Sequence, residues 1–236
     1  MKSIDKRVGT LMLSLALSVA SVYAQTVDDI CINNVRQLGG KEAAAKVKSL
    51  QLQETVVTEG SELQVTTLLV PGVAYYQRIK SPQGTSMVCA YGEQGWIFNS
   101  TPTPRTEQLP DGMAQTYIIG SKFLGPLFDY CVNQKASDVS MVKLIGKKDL
   151  DGEACYELQA NYKSGCKLVL CVSCKDGLIR QTTSPAGVIR YEDYRNVGGV
   201  MVPHMVLTSC VRGLILTKVN SAQVNVDLEG QLLAKP

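Results

Sequence analysis

The chain has 236 residues, 45% of them hydrophobic and 19% charged, with a formal net charge of +3. Residues 1–24 supply three lysines or arginines against one aspartate, so the remainder sits near +1 and carries no electrostatic footprint for nucleic acid. That remainder is long enough for one domain with a sizeable core.

Lys2, Lys6 and Arg7 form a basic head, followed by the apolar run "VGTLMLSLALSVASV". Val22 and Ala24 then occupy the −3 and −1 positions of a small-residue cleavage site. Residues 1–24 therefore read as a signal peptide and 25–236 as a single exported domain beginning at Gln25. The run is too short and too serine-rich for a membrane span. No cysteine follows the cleavage site, which argues against lipid attachment there.

In "TVDDICINNVRQLGGKEAAAKVKS", Thr26 and Asp29 have the spacing of a capping box. Ile30, Asn34, Val35 and Leu38 recur at helical spacing, Gly39-Gly40 stops the helix, and "KEAAAKVKS" restarts it. From Leu50 the apolar period becomes two. "LQLQETVVTEG", "SELQVTTLLV", "VAYYQRIK", "TSMVCAY" and "WIFN" read as an antiparallel meander with short turns. The proline-rich "STPTPRTEQLPDG" reads as a loop, and "MAQTYIIGSKFLGPLFDY" as one or two short helices lying against the sheet. Strands resume at "SMVKLIGKKDLDGEACYELQANY" and continue to "GLILTKVNSAQVNVDL".

Within that second run, "YEDYRNVGGVMVPHMVL" places polar residues before a glycine pair and apolar ones after it. Gly198-Gly199 suits a tight hairpin. Pro203 cannot donate to a ladder, so the hairpin is expected near a sheet margin. Tyr191 and Tyr194 differ by three and would fall on opposite faces of a regular strand.

Catalytic and metal chemistry find few candidates. "CVSC", Cys171 to Cys174, continues a strand instead of opening a helix, so it lacks the setting that activates a redox thiol. One histidine, His204, leaves neither a second ligand pair for zinc nor a persuasive triad. Asp28-Asp29 suits a helix N-terminus, and Glu192-Asp193 a wet strand. No phosphate loop or nucleotide fingerprint occurs. The expectation is a non-enzyme with no cofactor and no metal.

Eight cysteines in an exported chain invite disulfides, although most stand at apolar strand positions where a small buried thiol fits. One or two bridges suit the chain better than four. If Ser164-Gly165 is a two-residue turn, Cys155 faces Cys174, making this the first pair to bridge.

The order of "LGGKEAAAKVKSLQLQ", "YGEQGWIFNS", "FLGPLFDY", "LDGEACYELQ", "SCKDGLIRQ" and "YEDYRNVGGVMVP" resembles the LolA-like proteins, the outer-membrane lipoprotein-sorting family of Gram-negative bacteria. The resemblance covers nearly all of residues 25–236. It implies an α+β fold like that of LolA, LolB and LppX, a curved, unclosed antiparallel β-barrel with helices packed on its concave side. It also implies a periplasmic location, a lid held closed by an arginine, and a cavity that receives acyl chains. Arg78, Arg180, Arg190 and Arg195 are the strand candidates for that arginine.

The large side chains Tyr75, Ile79, Met87, Tyr91, Trp96, Phe98, Leu168 and Leu170 are the candidates to line the cavity, Trp96 and Phe98 above all. For any one of them, a place in a closed core is the simpler reading. The implied role is a monomeric carrier for a lipid, a lipoprotein acyl chain or another hydrophobic ligand, served by membrane-bound donor and acceptor proteins. The alternative is a structural or sensory interaction module of the same fold with no lipid cargo.

Overall fold

A computed structural model describes residues 25–227. The leader expected over residues 1–24 lies outside the described residues. Two helices open the described chain, α1 (Val27–Gln37) and α2 (Gly40–Lys46). Thr26 caps α1 as its spacing predicts: its hydroxyl accepts from the Asp29 N–H, and the Asp29 carboxylate accepts from the Thr26 N–H at 3.0 Å.

Six strands follow: β1 (Leu50–Thr58), β2 (Ser61–Val70), β3 (Ala74–Ser81), β4 (Gly84–Tyr91), β5 (Gln94–Asn99) and β6 (Arg105–Gln108). β6 falls inside the segment expected to be loop, and pairs with β5 through Asn99↔Arg105 to Trp96↔Gln108. After it come α3 (Met113–Gly120) and α4 (Gly125–Phe128), the latter continuing into a wider helical turn at Asp129–Asn133. Seven more strands complete the fold: β7 (Val139–Leu150), β8 (Glu153–Tyr162), β9 (Lys167–Ser173), β10 (Ile179–Ser184), β11 (Gly187–Val197), β12 (Val200–Cys210) and β13 (Gly213–Val224).

The thirteen strands of the described residues form one antiparallel sheet in the order β6-β5-β4-β3-β2-β1-β13-β12-β11-β10-β9-β8-β7. The two meanders join where β1 pairs with β13, and the ends β6 and β7 do not pair. The sheet is therefore the unclosed half-barrel expected. Its topology also dictates where the helices go. The chain leaves the sheet at one edge, β6, and must re-enter at the other, β7. The 109–138 segment, with α3 and α4, spans that gap across the concave side.

Packing follows from this layout. Leu109, Ala114 and Ile118 of the crossing segment press on Ala90, with Tyr75, Val88 and Ile97 around them. At the other half, Ile30 and Cys31 of α1 and Leu127 of α4 bury against Leu158, Ala160, Leu170 and Val172. α2 covers Leu50, Leu69, Val200 and Val202 between the two halves.

The glycine hairpin is central in the sheet, which corrects the expectation of a margin. β12 lies between β11 and β13, but its ladder to β13 begins only at Met205. Pro203 pairs with Tyr194 on the β11 side alone, so its missing N–H falls where the strand is locally an edge. Gly198 and Gly199 have φ of 61° and 96°, as a two-residue primed turn requires. The turn docks on the α1–α2 junction: the Met201 N–H donates to the Leu38 carbonyl at 3.1 Å. Gly39, at φ 110°, passes so close that a Cβ there would stand 2.1 Å from the Gly199 oxygen.

The two tyrosines of β11 also depart from regular alternation. Asp193 between them adopts φ 51°, and both rings reach the helix-packed interior. The Tyr191 hydroxyl shares a hydrogen bond with the Thr182 hydroxyl at 3.2 Å, and Tyr194 donates to the Ile179 carbonyl at 2.8 Å.

One hairpin differs from its expected register. The β8–β9 loop has three residues, Lys163 to Gly165, closed by the Tyr162 N–H on the Cys166 carbonyl. Residue pairs shift by one, so Cys155 faces Ser173, and Leu158 faces Leu170. Cys155 and Cys174 are not bridged, and all eight cysteines are free thiols.

Candidate functional site

The site is the space between the helical strap and the concave face. Ile119 of α3 and Pro126 of α4 form one wall of a cavity of about 480 Å³. Tyr162, Leu168, Ile189 and Tyr191 of β8, β9 and β11 form the other. Its volume lies within the range of about 300–1,000 Å³ typical of small-molecule pockets. Thr182 and Ser184 of β10 add hydroxyls to a lining that is otherwise mostly apolar.

A second cavity of about 300 Å³ lies on the other side of the strap, between α2 and α4, walled by Ala44, Val47, Phe123, Leu124 and Phe128. Lys122, Gly125 and Asp129 border both cavities. The strap is thus a partition, and its polar residues stand on the dividing line.

Those residues form a latch. The Lys122 ammonium bonds Asp129 Oδ1 at 2.9 Å and Asp138 Oδ2 at 2.6 Å. Asp129 Oδ1 also accepts from the Asn133 amide, while Oδ2 accepts from the Ser137 hydroxyl and the Asp138 N–H, both at 2.8 Å. Burial disfavours the Asp129 carboxylate, yet Asn133, Lys122, Ser137 and the Asp138 N–H together hold its pKa below the usual range. Burial likewise opposes the Lys122 charge, and its two carboxylate partners outweigh that and hold its pKa above the usual value. Ser121 completes the attachment: its hydroxyl donates to Ile118 or Val70 carbonyls and accepts from the Gly72 N–H at 2.9 Å.

No arginine candidate plays this part. Arg180 pairs with Glu153 and Asp176, Arg190 with Asp151, and Arg195 with Asp193, all partners in the sheet or its turns. Arg78 shares a ladder pair with Met87, on the face away from α3. A lysine instead ties the α3–α4 junction to the end of the strap where it enters β7, at a position with no sequence signal beyond its place in "SKFLGPLFD".

The eight expected lining residues divide by strand parity. Val88 and Ile97 pair across β4–β5 and touch the α3 cluster, so their parity faces the concave side. Tyr75 and Ile79 share it through their ladders to Ala90 and Ser86. Met87↔Phe98 and Cys89↔Trp96 have the opposite parity. Met87, Tyr91, Trp96 and Phe98 therefore stand on the convex face and do not line the groove, which corrects the expectation for the two aromatics most favoured. Tyr91 is 51% exposed. Leu168 borders the larger cavity, whereas Leu170 is fully buried beneath α1 and α4. Tyr75 packs on Tyr117 of α3, ring centroids 4.9 Å apart. Tyr162, Ile189 and Tyr191 escaped sequence reasoning because nothing in a strand pattern says where a crossing helix leaves a gap.

An unclosed antiparallel half-barrel, strapped by helices over an apolar concave face, is the LolA-like fold. The chain is similar in structure to a LolA superfamily protein from Nitrosomonas europaea, with a TM-score of 0.58, 13% identity, and coverage of 89% of this chain and 98% of that one. It is similar to a DUF1329 family protein from Desulfovibrio piger, with a TM-score of 0.56, 13% identity, and coverage of 86% and 95%. It is also similar to a putative outer membrane lipoprotein-sorting protein domain from Vibrio parahaemolyticus, with a TM-score of 0.52, 8% identity, and coverage of 80% and 92%. No family model and no curated protein matches the sequence. Among the described residues, no helix is long and apolar enough to cross a membrane.

Proposed function

We propose that this chain is a soluble periplasmic carrier that takes up the acyl chain of a lipid or lipoprotein between its helical strap and the concave face, without catalysis. The observation that carries the reading is the apolar cavity of about 480 Å³ under the strap. A sheet whose edges do not meet leaves its apolar face to be covered by the crossing segment and the two N-terminal helices, and this cavity lies where they leave a gap. Each methylene moved from water into that space contributes about 0.8 kcal/mol, so a chain binds without charge pairing. The lipoprotein-sorting domain among the similar structures fits the same cargo class.

The carrier works by exchange at the strap. A chain entering the larger cavity displaces the partition, and the space beyond it then becomes available. Export with cleavage before Gln25, and membrane-bound donor and acceptor proteins, complete the proposal.

A fluorescent fatty-acid probe tests it. The wild-type protein is expected to bind the probe and release it to phospholipid or lipopeptide. Leu168→Glu puts a charge at the cavity wall and is expected to weaken binding at least about tenfold. Phe98→Glu, on the convex face, is expected to leave it within about twofold. Absence of probe binding by the folded wild type would overturn the reading in favour of an interaction module.

A further inference from the structure

A groove of about 880 Å³ runs between α1 and the turn at Asp129–Asn133, and the carrier reading leaves it unused. Its floor is apolar: Val35 of α1 and Val139 of β7 are buried beneath it, and Tyr130 and Cys131 form one side. Ile32 stands at its rim 61% exposed, a large apolar side chain left in water. Among the described residues that line it, Lys41, Lys135 and Lys163 carry positive charge and Asp28 alone carries negative. The three lysines come from separate segments: the first turn of α2, the short turn Gln134–Ala136 and the β8–β9 loop. The Lys163 ammonium donates to the Lys135 carbonyl at 3.0 Å, which draws two of these segments together. Among the described residues, none of the three ammoniums stands within ion-pair distance of a carboxylate. Lys41 also borders the 300 Å³ cavity beyond the strap, so groove and apolar cavity meet at its side chain.

We propose that this groove is a head-group site for amphiphiles with an anionic head, such as a phosphate ester, whose chain runs past Lys41 into the cavities of the strap. Unpaired ammoniums around an apolar floor suit a ligand that is charged at one end and apolar at the other. A neutral head forgoes the charge attraction, and a cationic head is repelled. An anion without a chain lacks the apolar contact with Ile32 and Val35. The chain's path is continuous: the groove meets the 300 Å³ cavity at Lys41, and that cavity shares Lys122, Gly125 and Asp129 with the 480 Å³ one. The inference rests on the carrier reading and adds its head-group class.

The test is competition of dodecyl phosphate, dodecanol and dodecylammonium, each below its micelle-forming concentration, against a neutral fluorescent reporter on the purified protein. At low salt the phosphate is expected to bind at least about tenfold tighter than the alcohol and the ammonium weakest, with most of the phosphate's advantage lost at about 1 M salt. Lys41→Gln, Lys135→Gln and Lys163→Gln combined are expected to bring phosphate and alcohol within about threefold. Lys175→Gln, at an exposed lysine that does not line the groove, is expected to keep the preference. Inorganic phosphate at matching concentration is expected to leave the preference intact. If the alcohol binds but the phosphate shows no advantage in wild type, the head-group site is refuted and the carrier stands. If the preference survives the three substitutions, or inorganic phosphate abolishes it, the site is likewise refuted. If none of the three amphiphiles binds, both fall. The wild-type ranking and its salt dependence need no variant, so they decide the matter even where the combined variant does not fold.

Discussion

Asp129→Asn is the substitution that probes the latch most directly. All four partners of the Asp129 carboxylate are donors: Lys122 and Asn133 on Oδ1, and Ser137 and the Asp138 N–H on Oδ2. An asparagine of the same shape turns one acceptor atom into a donor, so two of the four bonds become donor against donor. An unmet buried donor costs about 1–3 kcal/mol, and removing one member of a buried ion pair about 3–5. The Asp129 side chain is 5% exposed and that of Lys122 19%, and Lys122 keeps Asp138 as a partner. The lower end applies, at about 3 kcal/mol. For a domain of this size that corresponds to about 6–12 °C in thermal midpoint.

The same latch sets a pH window. The folded pKa of Asp129 is depressed, so its stabilisation is present above the unfolded value near 3.9 and lost as pH falls through the folded pKa. Lys122 is raised, so its contribution is present below about 10.4 and lost as pH rises through its folded value. Wild-type stability is expected to fall off below about pH 4, and Asp129→Asn to flatten that acid limb. Thermal melts across pH measure it, with amide exchange over residues 113–136 as the local readout. A midpoint within about 2 °C of wild type, together with unchanged exchange in the strap, would refute the latch.

Gly39→Ala is expected to destabilise by more than about 2 kcal/mol, because φ of 110° disfavours any side chain and the new Cβ meets the Gly199 oxygen. Chemical denaturation reads it, and Gly60→Ala, at positive φ in open space, serves as the control that lacks the clash. In thiol labelling, exposed Cys166 is expected to react first. Cys155, fully buried and pushed up to about 11 by burial, then by Glu153 and neighbouring thiols, is expected to stay unlabelled until denaturant is added. Rapid labelling of Cys155 in folded protein would contradict its placement.

The strands, their order of appearance and the capped N-terminal helix were legible because each rests on a local pattern: period two, short turns, and Thr26 with Asp29. Facing was not legible where both parities are apolar. "WIFN" offers Trp96 and Phe98 on one side and Ile97 on the other, and "SMVCAY" sets Met87 and Cys89 against Val88 and Ala90. Only the crossing segment, whose Leu109 and Ile118 seek a partner, decides which set is covered. β6 was hidden because "RTEQ" is polar throughout and holds a single residue favoured in strands, Thr106. Its ladder to β5 supplies the pairing that an exposed edge would otherwise lack. The Cys155–Cys174 alignment failed on one loop residue, since a register slip of one exchanges every opposed pair.

The unclosed sheet also explains why lid and groove belong to one device. Had β6 paired with β7, a short hairpin would join them and no chain would need to cross the mouth. Because the edges stay apart, the connection between them is forced over the concave face, and its length sets how much of that face is covered. The crossing residues Ile119, Phe123 and Pro126 are apolar, so they satisfy the sheet in the empty state and compete with any acyl chain for the same surface. Affinity is then the difference between burying ligand and unburying strap, and the Lys122–Asp129–Asp138 bonds enter that difference directly. Weakening the latch should therefore lower stability and raise probe affinity together, a pairing that a purely structural ion pair would not produce. Asp129→Asn supplies the case. A variant that loses several degrees of thermal midpoint yet binds the fatty-acid probe no tighter than wild type would show that the strap stays in place while ligand binds elsewhere.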